Sequence, residues 1–209
     1  MSATMPSSVV IEALTGMAEA LQEQGRLAEA REIWQEVSER DAALFGASHP
    51  YAACSQLSVA GLCGRLGDVE QAEGLYRQAE ATLARASGLG IHPQLPTALA
   101  NHARLLVEQS RWHEAEALLR GALARWESLG MHGHPPHVGV VALNGLGCCL
   151  AMRGEPDLAE PVLRRALRVC KLQASEGGDV TTADTLHNLS LVLGLVGDTD
   201  GEEEGGRGT

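Results

Sequence analysis

An alanine is followed four residues later by a large side chain and three further on by a small apolar one, and the motif recurs along the chain. The four sets are Ala30, Trp34 and Val37; Ala72, Tyr76 and Ala79; Ala115, Leu119 and Ala122; Ala159, Leu163 and Ala166. That spacing puts each trio on one face of a helix. Small, large, small lets two helix backbones approach closely around one bulky plug. Ahead of each trio, and once more near the end, a second helical pattern carries its own small residue: Ala18, Ala60, Ala103, Gly147 and Ser190. The pattern predicts two helices per unit, with these small residues turned toward the partner helix.

Short turns separate the two helices, at Gln24-Gly25-Arg26, Leu66-Gly67-Asp68, Gln109-Ser110-Arg111, Arg153-Gly154-Glu155 and Val196-Gly197-Asp198, in steps of 42, 43, 44 and 43 residues. Glycine suits the left-handed backbone that ends a helix, and Ser110 takes that place at some energetic cost. His49-Pro50, His92-Pro93 and His134-Pro135 keep the same beat, and the proline is expected to mark where the second helix has stopped. Two markers with one period predict an all-α solenoid. Its units span about 9–50, 51–93, 94–136 and 137–180, with a terminal helix over 181–196. Residues 1–8 and the acidic tail 197–209 are expected to be disordered.

Stretches such as Ala142-Leu143-Asn144-Gly145-Leu146-Gly147, Leu158-Ala159-Glu160-Pro161 and Glu114-Ala115-Glu116-Ala117-Leu118-Leu119 resemble the tetratricopeptide repeat. The long kinesin-light-chain form, with repeats of about 42 residues, fits best. Ser110, the scarce interior aromatics and the missing second helix of a fifth repeat depart from that pattern. The resemblance implies a right-handed superhelix of helix pairs whose first helices line a concave groove that binds peptide segments of other proteins. It implies no catalytic activity and no cofactor. Carried onto this chain, the family's groove positions include Thr15, Gly16, Gln22, Arg65, Asn101 and Arg104. The fourth repeat contributes Asn144, Gly145, Cys148, Ala151 and Met152, and the fifth His187, Asn188 and Leu191.

The three asparagines of the whole chain, Asn101, Asn144 and Asn188, all fall on these positions. An amide both donates and accepts, so it can hold the backbone of a bound peptide whatever its side chains. The other reading is that the asparagines brace neighbouring helices. Ligand contact is preferred, because asparagine is disfavoured inside helices and needs a reason there. On that reading, Asn144→Ala with Asn188→Ala leaves the melting temperature nearly unchanged and weakens binding. Arg65 and Arg104 are the groove's cations, suited to an acidic ligand residue or to pairing with Glu23 or Glu108. With one lysine, Lys171, and with Thr15 and Glu19 in the first repeat, the chain lacks the family's carboxylate clamp for chaperone termini.

Composition narrows the function class. The 209 residues are 44% hydrophobic and only 3% aromatic, so alanine, leucine and valine must build the core. A net charge of −11 excludes nucleic acid as the expected partner. Five cysteines without a CxxC spacing, and no Lys or Arg before Arg26, point to reduced thiols in the cytoplasm. The apolar run from Val138 to Met152 falls short of the roughly 20 residues of a membrane span. No metal site is assigned to His132, His134 and His137, because His134-Pro135 is the repeat's own loop marker and no carboxylate or cysteine lies close by in sequence. Cys148 and Cys149, with His187 as a base, lack any oxyanion hole or orienting group for catalysis.

The expected function is therefore a non-catalytic scaffold or adaptor that grips a peptide segment of a partner protein. The alternative is a sensor whose neutral C-terminal groove, around Cys148, Met152 and Leu191, takes a small apolar ligand or signal peptide. The terminal helix keeps Leu191, Val192, Leu195 and Val196 without the usual covering helix. They are expected to pack back in part, with a weak homodimer through this helix, or a natural chain continuing past Thr209, as the other readings.

Overall fold

The computed structural model describes residues 7–86, 92–130, 136–173 and 180–205. Among them run α1 (Ser7–Glu23), α2 (Leu27–Phe45), α3 (Pro50–Leu66), α4 (Val69–Ala86), α5 (Leu95–Glu108), α6 (Trp112–Ser128), α7 (Pro136–Met152), α8 (Pro156–Gln173) and α9 (Val180–Gly205). No strand occurs among the described residues. The helices follow one another as four pairs and a terminal helix, and the chain divides into two compact units, Met1–Ala98 and Leu99–Thr209.

The first four turns share one hydrogen-bonding pattern. Gly25, Gly67, Ser110 and Gly154 have φ of 75°, 91°, 58° and 76°. The next residue's N–H reaches back five positions, from Arg26 to Leu21 O, Asp68 to Cys63 O, Arg111 to Leu106 O and Glu155 to Leu150 O, each at 2.9 Å. These bonds satisfy carbonyls that a helix end otherwise leaves open, and they require the left-handed residue.

The plugs are buried as the spacing predicts. Ala30, Ala72, Ala115 and Ala159 are fully enclosed, and Trp34, Tyr76, Leu119 and Leu163 lie in the core beside them. Ala18, Ala60 and Ala103 are equally enclosed. Gly147 continues the rule, and a β-carbon there would sit 2.5 Å from Leu163 Cγ.

Three expectations need correcting. His49-Pro50 opens the next first helix rather than closing the second: Pro50 is the first residue of α3, and His49 caps it by accepting the Tyr51 N–H on Nδ1 at 3.2 Å. His92 accepts the Gln94 N–H in the same way, at 3.2 Å. Proline fits the first helical position because its missing N–H would find no partner there anyway. His134 and Pro135 lie outside the described residues. Secondly, Gly197 forms no fifth turn, and α9 continues past Val196 through Gly205. Glycine permits a left-handed turn but does not impose one, and no described helix follows to fold back. Thirdly, Ser190 is exposed, because the helix that would cover it in a fifth pair is missing among the described residues.

Candidate functional site: an apolar trough on α7 to α9

In the second unit, Cys148, Ala151 and Met152 project from the last turns of α7, and Asn188, Leu191, Val192 and Leu195 from α9. Spacings of three and four residues place each set on a single helix face. Leu163 of α8 closes the trough from below, giving a space of about 290 Å3. Leu163 and Val192 are buried, whereas Met152, Leu191 and Leu195 are 62%, 57% and 47% exposed. The trough is thus a solid apolar floor with half-exposed walls, open rather than closed. Among the described residues that line it none carries a charge, and the Asn188 amide and the Cys148 thiol are the polar side chains. Such a surface buries apolar side chains and offers one amide to a backbone.

Burial pushes the Cys148 thiol above the ordinary thiol range. Cys149 is pushed up to about 11, by burial first and then by the charges of Cys148 and Glu116, against the opposing pull of Arg153. Both are thiols at neutral pH, and a thiol is a poor nucleophile. All five cysteines are free.

Of the residues expected in the groove, the trough unites Cys148, Ala151, Met152, Asn188 and Leu191. Asn144 turns elsewhere: its Nδ2 donates to Thr185 Oγ1 at 2.8 Å, tying α7 to α9. Its Oδ1 is buried without a hydrogen-bond partner. Thr185 is fully buried and also meets Cys170 Sγ at 3.8 Å. Asn101 is half-buried on α5. Arg104 pairs with Glu108 at 2.5 Å on the exposed face of α5, and Arg65 is exposed in the last turn of α3. His187 is exposed on α9 outside the trough lining, and its backbone carbonyl accepts the Ser190 hydroxyl at 2.7 Å. His132 lies outside the described residues, and His137 is exposed at the start of α7.

Leu163, Val192 and Leu195 complete the trough and were absent from the expected set. The repeat register would have found Leu195, which stands two residues before Gly197 as Met152 stands two before Gly154. A second feature of α9 is the face bearing Leu186 and Leu193 with Ser190 between them, all exposed. Their counterparts Leu143, Gly147 and Leu150 in α7 are buried, Gly147 directly against α8. No helix among the described residues is long and apolar enough to cross a membrane.

A family model for the tetratricopeptide repeat matches residues 9–85 and 94–172. Among solved structures, the kinesin light chain nearly identical TPR-like repeats of Podosopora anserina align with a TM-score of 0.72 at 21% identity, over 96% of this chain and 93% of that one. BtubC (BKLC) from P. vanneervenii aligns at 0.71 and 20% identity, over 85% and 68% of the two chains. The Rap conjugation gene regulator of plasmid pLS20, solved in complex with the Phr* peptide, aligns at 0.60 and 12% identity, over 95% and 58%. None of the curated proteins matches this chain.

Proposed function

The chain belongs to the tetratricopeptide repeat family, and from that premise we propose that it is a non-catalytic scaffold which holds a segment of a partner protein against its first helices. Repeats of this family generally mediate contacts between proteins. The observation that carries the reading is the α7 to α9 trough, whose half-exposed Met152, Leu191 and Leu195 border a buried floor. Apolar side chains of an extended or helical segment would gain by covering those residues, at roughly 25 cal/mol per Å2 of apolar surface removed from water. The Rap regulator, of the same fold, is seen with a peptide bound. Raised thiol pKa values at Cys148 and Cys149 argue against a thiolate nucleophile at that pair, and five free thiols suit a reducing cytoplasm.

The open walls favour a protein segment over a small apolar ligand, since ligand pockets typically bury about 70–90% of their occupant. The exposed stripe of Leu186 and Leu193 gives the same molecule a second contact surface, and a second copy docking there would form a weak homodimer that light scattering registers directly. The test of the main reading is selection of a phage-displayed random dodecapeptide library against the chain. Peptides with apolar anchors should be enriched, and their affinity should fall at least about tenfold when Met152→Glu and Leu191→Glu place charges in the trough. Enriched peptides that bind the double variant equally well would remove the trough from the account. A small apolar molecule retained in native mass spectrometry, with no peptide enriched, would favour the sensor.

A further inference from the structure

In the first unit, α1, α2 and α3 surround a cleft of about 370 Å3, lined among others by Trp34, Phe45, Tyr51 and Cys54, and by Asp41 of α2. The buried stripe of α2 that runs through Ala30, Trp34 and Val37 reaches Asp41 one helical turn later. The same step in the other three pairs leads to Leu83, Trp126 and Cys170, all buried. Asp41 thus holds a carboxylate at a core position, 7% exposed. Among the described residues no hydrogen bond or ion pair engages its side chain, and its oxygens, unlike Asn144 Oδ1, are not sealed from solvent. Of the polar groups beside it, Ser55 Oγ of the cleft lining donates to the carbonyls of Tyr51 and Ala52, and Arg40, next in sequence, pairs with Glu36. Burial raises the Cys54 thiol above its ordinary value, and the charge of Asp41 adds to that rise, so the carboxylate acts on the cleft.

Phe45 and Tyr51 line the same cleft as this charge. Phe45, His49 and Tyr51 form one cluster, with centroids 5.0 to 5.2 Å apart, and Phe45 and Tyr51 are exposed. An unpaired buried carboxylate is costly, and a cation that reaches it gains a charge-assisted hydrogen bond. Aromatic faces attract the same cation, and an apolar sleeve fits the aliphatic stem that lysine and arginine carry behind their charge. Building on the peptide-binding reading above, we propose that this cleft takes a lysine or arginine side chain of a partner protein's segment, with Asp41 as its counter-ion.

The dodecapeptide library selected against the full chain is the probe. The enriched set is expected to share a Lys or Arg at one fixed place, and a synthetic peptide from that set should lose at least about tenfold in affinity to Asp41→Asn. The same peptide with norleucine at that place should bind wild type and Asp41→Asn alike. Phe45→Leu should weaken the basic peptide by a smaller factor. Asp41→Asn should melt at or above the wild-type temperature, since it removes an unpaired buried charge; a clear fall would reveal a structural partner for Asp41 and overturn the assignment. Enriched peptides without a shared basic residue, or bound equally by Asp41→Asn, would overturn it too and leave the peptide-binding reading standing. A library that yields no binder would overturn both.

Discussion

Gly147 of α7 lies so close to Leu163 of α8 that a β-carbon on it would come within 2.5 Å of Leu163 Cγ and 2.6 Å of Cδ2. Leu163 is fully buried, so its side chain must leave its packed position to make room. Gly147→Ala is therefore expected to lower the unfolding free energy by about 1–3 kcal/mol through overpacking. At Gly16 in α1 nothing lies within 4 Å of the added carbon, and Gly16→Ala should raise stability by about 0.5–1 kcal/mol. Urea unfolding of the two variants, read against wild type, checks both signs.

Ser110 carries the left-handed backbone, φ 58°, that glycine carries at the other three turns. An L side chain is strained there, so Ser110→Gly should stabilise the chain by about 0.5–1 kcal/mol, part of the gain being lost to a more flexible unfolded state. Ser110→Val should act in the opposite direction. Thermal melts of the pair measure the cost of the one turn that departs from the rule.

The hydrogen bond from Asn144 to Thr185 gives this asparagine a place in the fold. Thr185→Val removes the partner and leaves the Asn144 amide buried without it, at an expected cost of about 1–3 kcal/mol. Asn144→Leu combined with Thr185→Val should recover much of that loss, because neither polar group is then stranded. The fourfold comparison of wild type, the two single variants and the double variant isolates the coupling. By contrast, Asn188→Ala in the trough should change stability little.

The helix pairs, their turns and the plugs were legible because each follows from spacing alone: Ala30 to Trp34 to Val37 is a face whatever surrounds it. The turns were legible at Gly25, Gly67 and Gly154, and even at Ser110, because position in the register outweighed residue type. Gly197 shows the limit, since the same glycine, with no described helix folding back after it, stays helical. The sites were harder to read. The direction of the Asn144 side chain depends on how α7 is rotated against α9, and no periodicity in either helix contains that angle. Asp41 is hidden in the sequence for another reason: a carboxylate after Val37 reads as the point where the buried face gives way to solvent. Only its alignment with Leu83, Trp126 and Cys170, all buried, marks it as out of place.

The thiols set a pH dependence of stability. Cys149 is raised in the folded chain from the ordinary thiol value of 9.0 to about 11, and Cys54, Cys63 and Cys148 are raised as well. Below pH 9 both folded and unfolded chains keep these protons, and the stabilisation is complete. Between about pH 9 and 11 the unfolded chain releases them first, so stability falls as pH rises. Urea midpoints at pH 8 and pH 10.5 should show that fall, and Cys149→Ala should make it shallower. In the native chain at pH 8, Cys149 should resist iodoacetamide and react only after unfolding.

Methionine methyl resonances give the most direct view of the trough. With methyl-labelled methionine, Met152 reports on the trough and Met17, exposed on α1, serves as a reference outside it. Titration with a peptide selected for its apolar anchors is expected to shift or broaden the Met152 methyl signal in proportion to occupancy and to leave Met17 in place. A Met152 signal that stays fixed while the peptide saturates the chain would contradict binding at α7 to α9.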